Sequence, residues 1–387
     1  MAEREAAKQP KILSFSCARP TVAEIDLDAL VANYRSLRAL AQEAEFMAVV
    51  KADAYGHGAV EVAHALTRAG CRHFGVATLG EAKELRAAGV EERIYLMGGF
   101  FAQEAPELVE LDIVPFLADV AALPVLDSAA ASHGPGFPIH LKLDTGATRL
   151  GITADDLPGA IETLKHCRHL AVEGVCTLLA SAADPASPVT QAQLAGFRQG
   201  VEVLREAGLA PRYLHVANSA ATVLRADAHF NMIRVGLALY GLPPVPAVID
   251  TVKLEPVMTF KTRLLQVKRV PAGTGVSYGH TFVTARPSLI GVLPVGYADG
   301  FRRGLQHGGE VLVRGRRAPV VGAVCMDLTM VDLTGVPEAV AGDPVVLWGG
   351  TGADAISAND VARLVQTISY ELLSTVGRRV PRIYRAG

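Results

Sequence analysis

Between Phe46 and Val235 the chain repeats one hydropathy unit eight times: a short apolar, β-prone run, in most cases followed by an amphipathic or Ala-rich stretch with helical spacing. The runs fall at 46–50, 74–77, 94–97, 113–116, 139–143, 172–177, 213–216 and 232–235. Stretches such as 61–69 and 81–88, each closed by a glycine, supply the intervening helices. Strands buried on both faces read as unbroken apolar runs, whereas half-exposed strands alternate. Eight such units therefore predict a closed parallel (β/α)8 TIM-like barrel.

Beyond Pro243 and Pro244 the texture changes to alternating segments punctuated by Gly and Pro, at 259–270, 288–294, 310–313, 318–331 and 344–348. This pattern predicts a second, mostly antiparallel β domain. The resulting division is a tail, 1–20, able to add a strand to the C-terminal domain, a barrel, 21–245, and a β domain, 246–387. A late helix is expected from Ser357, where Ser-Ala-Asn-Asp reads as a capping box, with Val361, Leu364, Val365, Ile368 and Leu372 on one face.

The length of 387 residues agrees with two domains, because single cores stop growing at smaller sizes. A net charge of −2 gives no whole-chain reason to expect nucleic acid or a membrane surface as partner, which leaves small solutes. The five cysteines are odd in number and lack metal-finger spacing, as in a reduced, cytoplasmic protein with no structural metal. The first twenty residues lack the apolar core of a secretory signal, and no run is long enough to span a bilayer.

The candidate chemistry begins at Lys51, in Val-Val-Lys-Ala-Asp-Ala-Tyr-Gly-His-Gly. It stands at the C-terminal end of the first barrel strand, where barrel enzymes present reactive groups. A lysine beside an apolar strand is desolvated, which lowers its pKa and frees the amine to form a Schiff base with an aldehyde cofactor. The residue alone allows a second reading, a lysine snorkelling out of the barrel mouth. Ser219 and Gly236 occupy the loops after the seventh and eighth strands, the usual phosphate site of such barrels.

The Lys51 segment resembles the pyridoxal-binding signature of alanine racemases. The resemblance continues in order through FGVATLGEAKELRAAG, HLKLDTGATRLG, HVANSAA, RVGLALYG, VSYGHTF, PVGYADGFRR, CMDLTMVDL and SYELLSTVGRRVPRIY. It implies that Lys51 holds pyridoxal 5'-phosphate. It further assigns the Ser219 hydroxyl, the amides near Gly236 and Leu237, and the Tyr55 and Tyr370 hydroxyls to phosphate or ring contacts. Arg234 is matched to the donor facing the pyridine nitrogen, and Arg149 to the arginine facing the cofactor phenolate and substrate carboxylate. Lys142 matches a lysine that is often carbamylated in the family.

Racemisation needs an acid and a base on opposite faces of a planar centre. The resemblance gives Lys51 one face and Tyr278 the other, from the partner subunit of a homodimer with shared sites. Met326, Asp327 and Tyr297 are matched to residues lining that site. A tyrosine with a pKa near ~10 is a poor base at neutral pH, so nearby cations such as Arg149 would have to lower it. The implied activity is interconversion of L- and D-alanine, supplying D-alanine for peptidoglycan.

Departures from the family pattern occur at Leu178, where a histidine over the cofactor ring is usual, and at Ala147 and Thr148, which replace Met-Asn. Leucine packs on a ring face but offers no hydrogen bond. Other readings stay open at this level. One is a racemase with broader specificity that includes serine. A barrel-type pyridoxal decarboxylase is another, although that family puts a carboxylate where this chain has Arg234. A non-catalytic cofactor-binding protein would resemble the barrel alone. A degenerate racemase retained for interactions would rest on Leu178.

Overall fold

The computed structural model describes residues 19–184, 186–248, 251–350, 352 and 354–386. After strand β1 (Val22–Asp26) come eight parallel strands: β2 (Glu45–Val49), β3 (His73–Val76), β4 (Arg93–Leu96), β5 (Ile113–Leu117), β6 (Phe137–Lys142), β7 (Leu170–Cys176), β8 (Tyr213–His215) and β9 (Met232–Val235). They pair in the order β8-β7-β6-β5-β4-β3-β2-β9. Each lies within a few residues of an apolar run in the sequence. Across the last seam, β8 to β9, the ladder gives way to single bonds, Arg234 N to Ala217 O at 2.9 Å and Leu214 N to the Asn231 side chain at 2.7 Å.

Two apolar layers explain why these strands read as continuous runs. One packs the strands against the surrounding helices. The other fills the lumen with Met47, Tyr95, Val114, Phe116, Cys176, Tyr213 and Met232. Polar side chains share the lumen: His73, His140, Lys142, His215 and Arg234 are all buried.

The C-terminal part contains β10 (Met258–Arg263), β11 (Gln266–Val270), β12 (Gly275–Val276), β13 (Phe282–Val283), β14 (Ser288–Leu293), β15 (Glu310–Val313), β16 (Arg316–Pro319), β17 (Thr329–Asp332), β18 (Pro344–Trp348) and β19 (Arg382–Arg385). Its largest sheet has the order β16-β15-β18-β10-β1-β19, antiparallel except for the parallel pair β1 and β19. The strand contributed from the N-terminal side is thus β1, inside the range assigned to the barrel; the tail before residue 19 lies outside the described residues. Ala23 and Ile25 are buried while Val22 and Glu24 are only partly so, the period-two pattern of a strand. Asp26 ends the strand and caps the next helix, Leu27–Ala39, by accepting from Ala29 N at 2.9 Å. One residue therefore joins the C-terminal sheet to the barrel without a linker.

The late helix differs from expectation. Ser357 caps it, accepting from Asp360 N at 3.1 Å, but it runs only over Ala358–Leu364 and a second helix covers Ser369–Ser374. Gln366 breaks it with φ 56°, and Leu364 and Ile368 face outward instead of inward. Among the described residues no helix is long and apolar enough to cross a membrane.

Candidate active site

The residue after Lys51 starts an unusual turn. Ala52, Asp53, Ala54 and Tyr55 all have φ between 52° and 55°, and Gly56 follows at 81°, giving a short left-handed helix. L-residues avoid this conformation because Cβ crowds the next carbonyl. Neighbours enforce it. Glu81 accepts from Ala52 N and from Ala77 N, both at 2.7 Å, and Asp53 accepts from Ala59 N at 2.8 Å. Arg382 Nε donates to Gly56 O at 3.0 Å. A Cβ on Gly56 would lie 2.3 Å from Leu373 O, and one on Gly58 would lie 1.8 Å from Tyr384 Oη. The turn fixes where Lys51 leaves β2, and it swings Tyr55 inward, where its ring packs 4.9 Å from Tyr240 and 5.9 Å from Tyr370.

Lys51 lines a cleft of about 460 Å³ at the C-terminal ends of the strands, together with Tyr55, Arg149, Ser219, Arg234, Gly236, Leu237 and Tyr370. A cavity of about 270 Å³ adjoins it and adds Lys142. Four cationic side chains thus surround this space, and no Asp or Glu lines either part. Burial pushes the Lys51 amine down and Arg149 pushes it further, against an opposing pull from Glu81. Burial also lowers Lys142, and Arg234, Arg149 and Lys51 add to it against a nearby Cys176. Anions are the complement of such a space.

Arg234 is buried with no carboxylate partner. Its Nη1 donates to His215 Nδ1 at 2.8 Å and His215 O at 2.7 Å, and its Nη2 donates to Thr177 O at 2.7 Å. Both terminal nitrogens are engaged on the barrel wall, so Nε is the donor left for the cleft that Arg234 lines. Ser219, which lines the same cleft, accepts at Oγ from Gly236 N at 3.0 Å and Ala238 N at 3.3 Å, gathering amides at one point. The absence of a Cβ on Gly236 leaves room for Tyr55, whose Oη would lie 2.3 Å from one.

Four expected residues, Tyr278, Tyr297, Met326 and Asp327, lie elsewhere in the chain, and Asp327 is exposed like the other three. Tyr278, Met326 and Tyr297 belong to the C-terminal domain and are 77%, 53% and 45% exposed. They stand near one another. Tyr297 N bonds Cys325 O at 3.0 Å, and Ser277, next to Tyr278, donates to Ala323 O at 2.7 Å.

Two family descriptions match the chain: alanine racemase N-terminal domain over residues 25–244 and alanine racemase C-terminal domain over 257–384. The chain belongs to the alanine racemase family. The alanine racemase of Symbiobacterium thermophilum is 42% identical over 95% of this chain and 97% of its own. The structure of the alanine racemase from D-cycloserine producing Streptomyces lavendulae superposes with a TM-score of 0.91 at 39% identity, covering 95% and 98%. That from E. faecalis gives 0.86 at 36%, covering 95% and 98%. The protein is accordingly an isomerase, an amino-acid racemase.

For an alanine racemase, the departure at Leu178 falls in the cleft, where the side chain lines both parts. Gln193 clamps this stretch, donating to Leu178 O and accepting from Ala180 N, each at 2.8 Å. Sequence reasoning missed a buried chain behind Arg234. Since arginine only donates, His215 Nδ1 accepts; its Nε2–H then points at His140 Nδ1, 2.7 Å away. His140 Nε2 faces Glu173 at 3.5 Å, and Arg93 grips Glu173 at 2.9 and 2.7 Å. Burial lowers both histidines, so neutral rings separate Arg234 from the distant carboxylate. The available signal was the spacing of His140 and Lys142, two apart on one strand and hence on one face.

Proposed function

We propose that the chain interconverts L- and D-alanine with pyridoxal 5'-phosphate held in the Lys51 cleft, using Lys51 and the partner subunit's Tyr278 as opposing proton carriers. The observation that carries the reading is the cleft itself: Lys51, Arg149, Arg234, Lys142 and the Ser219–Gly236 cradle converge with no acid among its lining residues. This donor set fits the cofactor, which brings a phosphate, a phenolate, and a ring nitrogen able to accept from Arg234 Nε. When bound, the cofactor supplies an aldehyde for covalent capture of amines and a conjugated ring that acidifies Cα. Lys51 supplies the amine that holds the aldehyde carbon at rest. The Lys51 Nζ, held low by burial and by Arg149, would have a lone pair to take the proton from its side of Cα.

Arg234 would hold the ring nitrogen by a hydrogen bond and, as an arginine, would not give up its proton to it, which would keep the ring's electron withdrawal weak. Arg149, exposed at the cleft mouth, binds the substrate carboxylate. Lys142, crowded by three cations, would become an anion able to orient Arg149 if its amine added carbon dioxide and released a proton to form a carbamate. A single chain leaves the second face of Cα uncovered, and the exposed Tyr278, Met326 and Tyr297 of a partner subunit cover it in a two-fold dimer. The protein acts in the cytoplasm and makes D-alanine for peptidoglycan, so its gene should let a strain that requires D-alanine grow without it.

Lys51→Ala and Tyr278→Phe dimers should each be nearly inactive. Co-expressed, they should regain activity, because one site of the mixed dimer keeps both residues. A verified mixed dimer as inactive as its parents would sink the shared site.

A further inference from the structure

The exposed edge that carries Tyr297 and Met326 is built on a buried charge. Asp299 is fully buried, and arginines from opposite ends of the described chain grip it. Arg19 meets Oδ1 at 2.5 Å and Oδ2 at 2.8 Å, and Arg379 Nε donates to Oδ1 at 2.7 Å. Oδ2 also accepts from Gly296 N at 3.0 Å, closing the turn Tyr297–Asp299 on itself.

Both arginines reach beyond the carboxylate. Arg19 Nη2 donates to Pro294 O at 3.0 Å, holding the strand end before the turn. Arg379 Nη2 donates to Asp327 Oδ1 at 2.6 Å, holding the residue after Met326. Between them, Tyr297 N bonds Cys325 O at 3.0 Å and Ala298 N bonds Met326 O at 3.1 Å. A Cβ on Gly296 would lie 2.2 Å from Cys325 O, so the two backbones touch. Apolar packing would stabilise this corner as well as an ion network does; what a fork of charge-assisted bonds adds is fixed geometry.

We propose that Asp299, gripped by Arg19 and Arg379, is a positioning residue that sets the depth and angle at which Tyr297 and Met326 enter the partner subunit's cleft. The inference rests on the shared-site reading above. It requires the effect of a variant to follow the chain that donates the tyrosine edge, not the chain that donates Lys51.

The complementing mixed dimer separates the two. In its working site the Lys51→Ala chain donates the intact Tyr278 edge, and the Tyr278→Phe chain donates Lys51. Arg379→Ala is placed in one chain or the other; the side chain is 43% exposed, so its removal does not open the core. In the edge-donating chain it should raise KM for alanine about tenfold with a smaller change in kcat, while in the Lys51-donating chain KM should stay as in the parent pair. Arg379→Lys, which keeps the charge but loses the fork, should fall between. Asp299→Asn in the same two placements provides a second variant. Equal effects in both placements, or none in either, overturn the positioning role, because general destabilisation does not distinguish the chains. The parent pair is assayed first. If it is inactive, the shared site is rejected and the positioning role goes with it, a result distinct from chain-independent loss.

Discussion

Acid should loosen the turn that presents Lys51, and His57 sets the pH at which it does so. This histidine directly follows the left-handed turn and is fully buried. Its Nδ1 faces Ala54 O at 2.9 Å and Tyr55 O at 3.0 Å, so Nδ1 bears the hydrogen; Nε2 is buried without a partner. The ring stacks on Tyr240 at 4.6 Å. Burial pushes the pKa down to about 4, the two carbonyls oppose this, and the Arg382 guanidinium adds to it. The folded value lies below the ordinary value of ~6.5, so the fold favours the neutral ring. That preference costs nothing above ~6.5, and stability is lost as pH falls from there towards about 4. At about 1.4 kcal/mol per pH unit, the loss reaches about 2 kcal/mol at about pH 5 and about 3 kcal/mol at about pH 4.

The comparison protein is His57→Asn, whose amide keeps a donor near the Nδ1 position and does not titrate. Urea unfolding of both proteins at about pH 7.5 and about pH 5 should show the wild type losing about 2 kcal/mol more than the variant. His73, His140 and His215, also held low by burial, are present in both proteins and cancel in the difference. Parallel pH dependences would refute the reasoning, because they would mean that the buried ring takes up a proton without cost.

Borohydride treatment of the purified protein should fix a pyridoxyl group on the Lys51 peptide; label on a different lysine counts against the assigned role. Arg234→Glu should lower racemisation at least about tenfold and raise transamination, measured as keto-acid release, and an unchanged ratio of the two would contradict the weak-withdrawal argument. Leu178→His should raise turnover by offering the ring a hydrogen-bonding face, whereas a well-folded variant with lower activity would mean that the cleft is fitted to leucine.

The barrel was legible because burial on both faces leaves unbroken apolar runs, and Lys51 was legible because it stands at a strand end, whereas Arg234 came through resemblance. Period alone does not give handedness. Lys51 to Gly56 reads as an ordinary loop or helix start, and its inversion depends on contacts from Glu81, Arg382 and Leu373, far away in sequence. The break at Gln366 was hidden for a similar reason, since the apolar spacing from Val361 to Leu372 runs across it. The strand Val22–Asp26 alternates as a strand should, yet nothing local says which sheet it joins. His140, Glu173 and His215 come from three different strands, so their alignment behind Arg234 appears only when the barrel is assembled. Tyr278, Tyr297 and Met326 were named through resemblance, and the fold adds that they share one exposed edge.

The left-handed turn has a consequence for the order in which the molecule matures. Four non-glycine residues held there cost roughly 4–8 kcal/mol relative to relaxed backbone. Much of the restraint comes from Leu373 onward: Leu373 O against Gly56, Arg382 on Gly56 O, and Tyr384 against Gly58. A chain still on the ribosome can pair its barrel strands before these residues emerge, but the turn then has only the Glu81 and Asp53 bonds to hold it. Full presentation of the amine therefore waits for residues that follow the barrel in the order of synthesis.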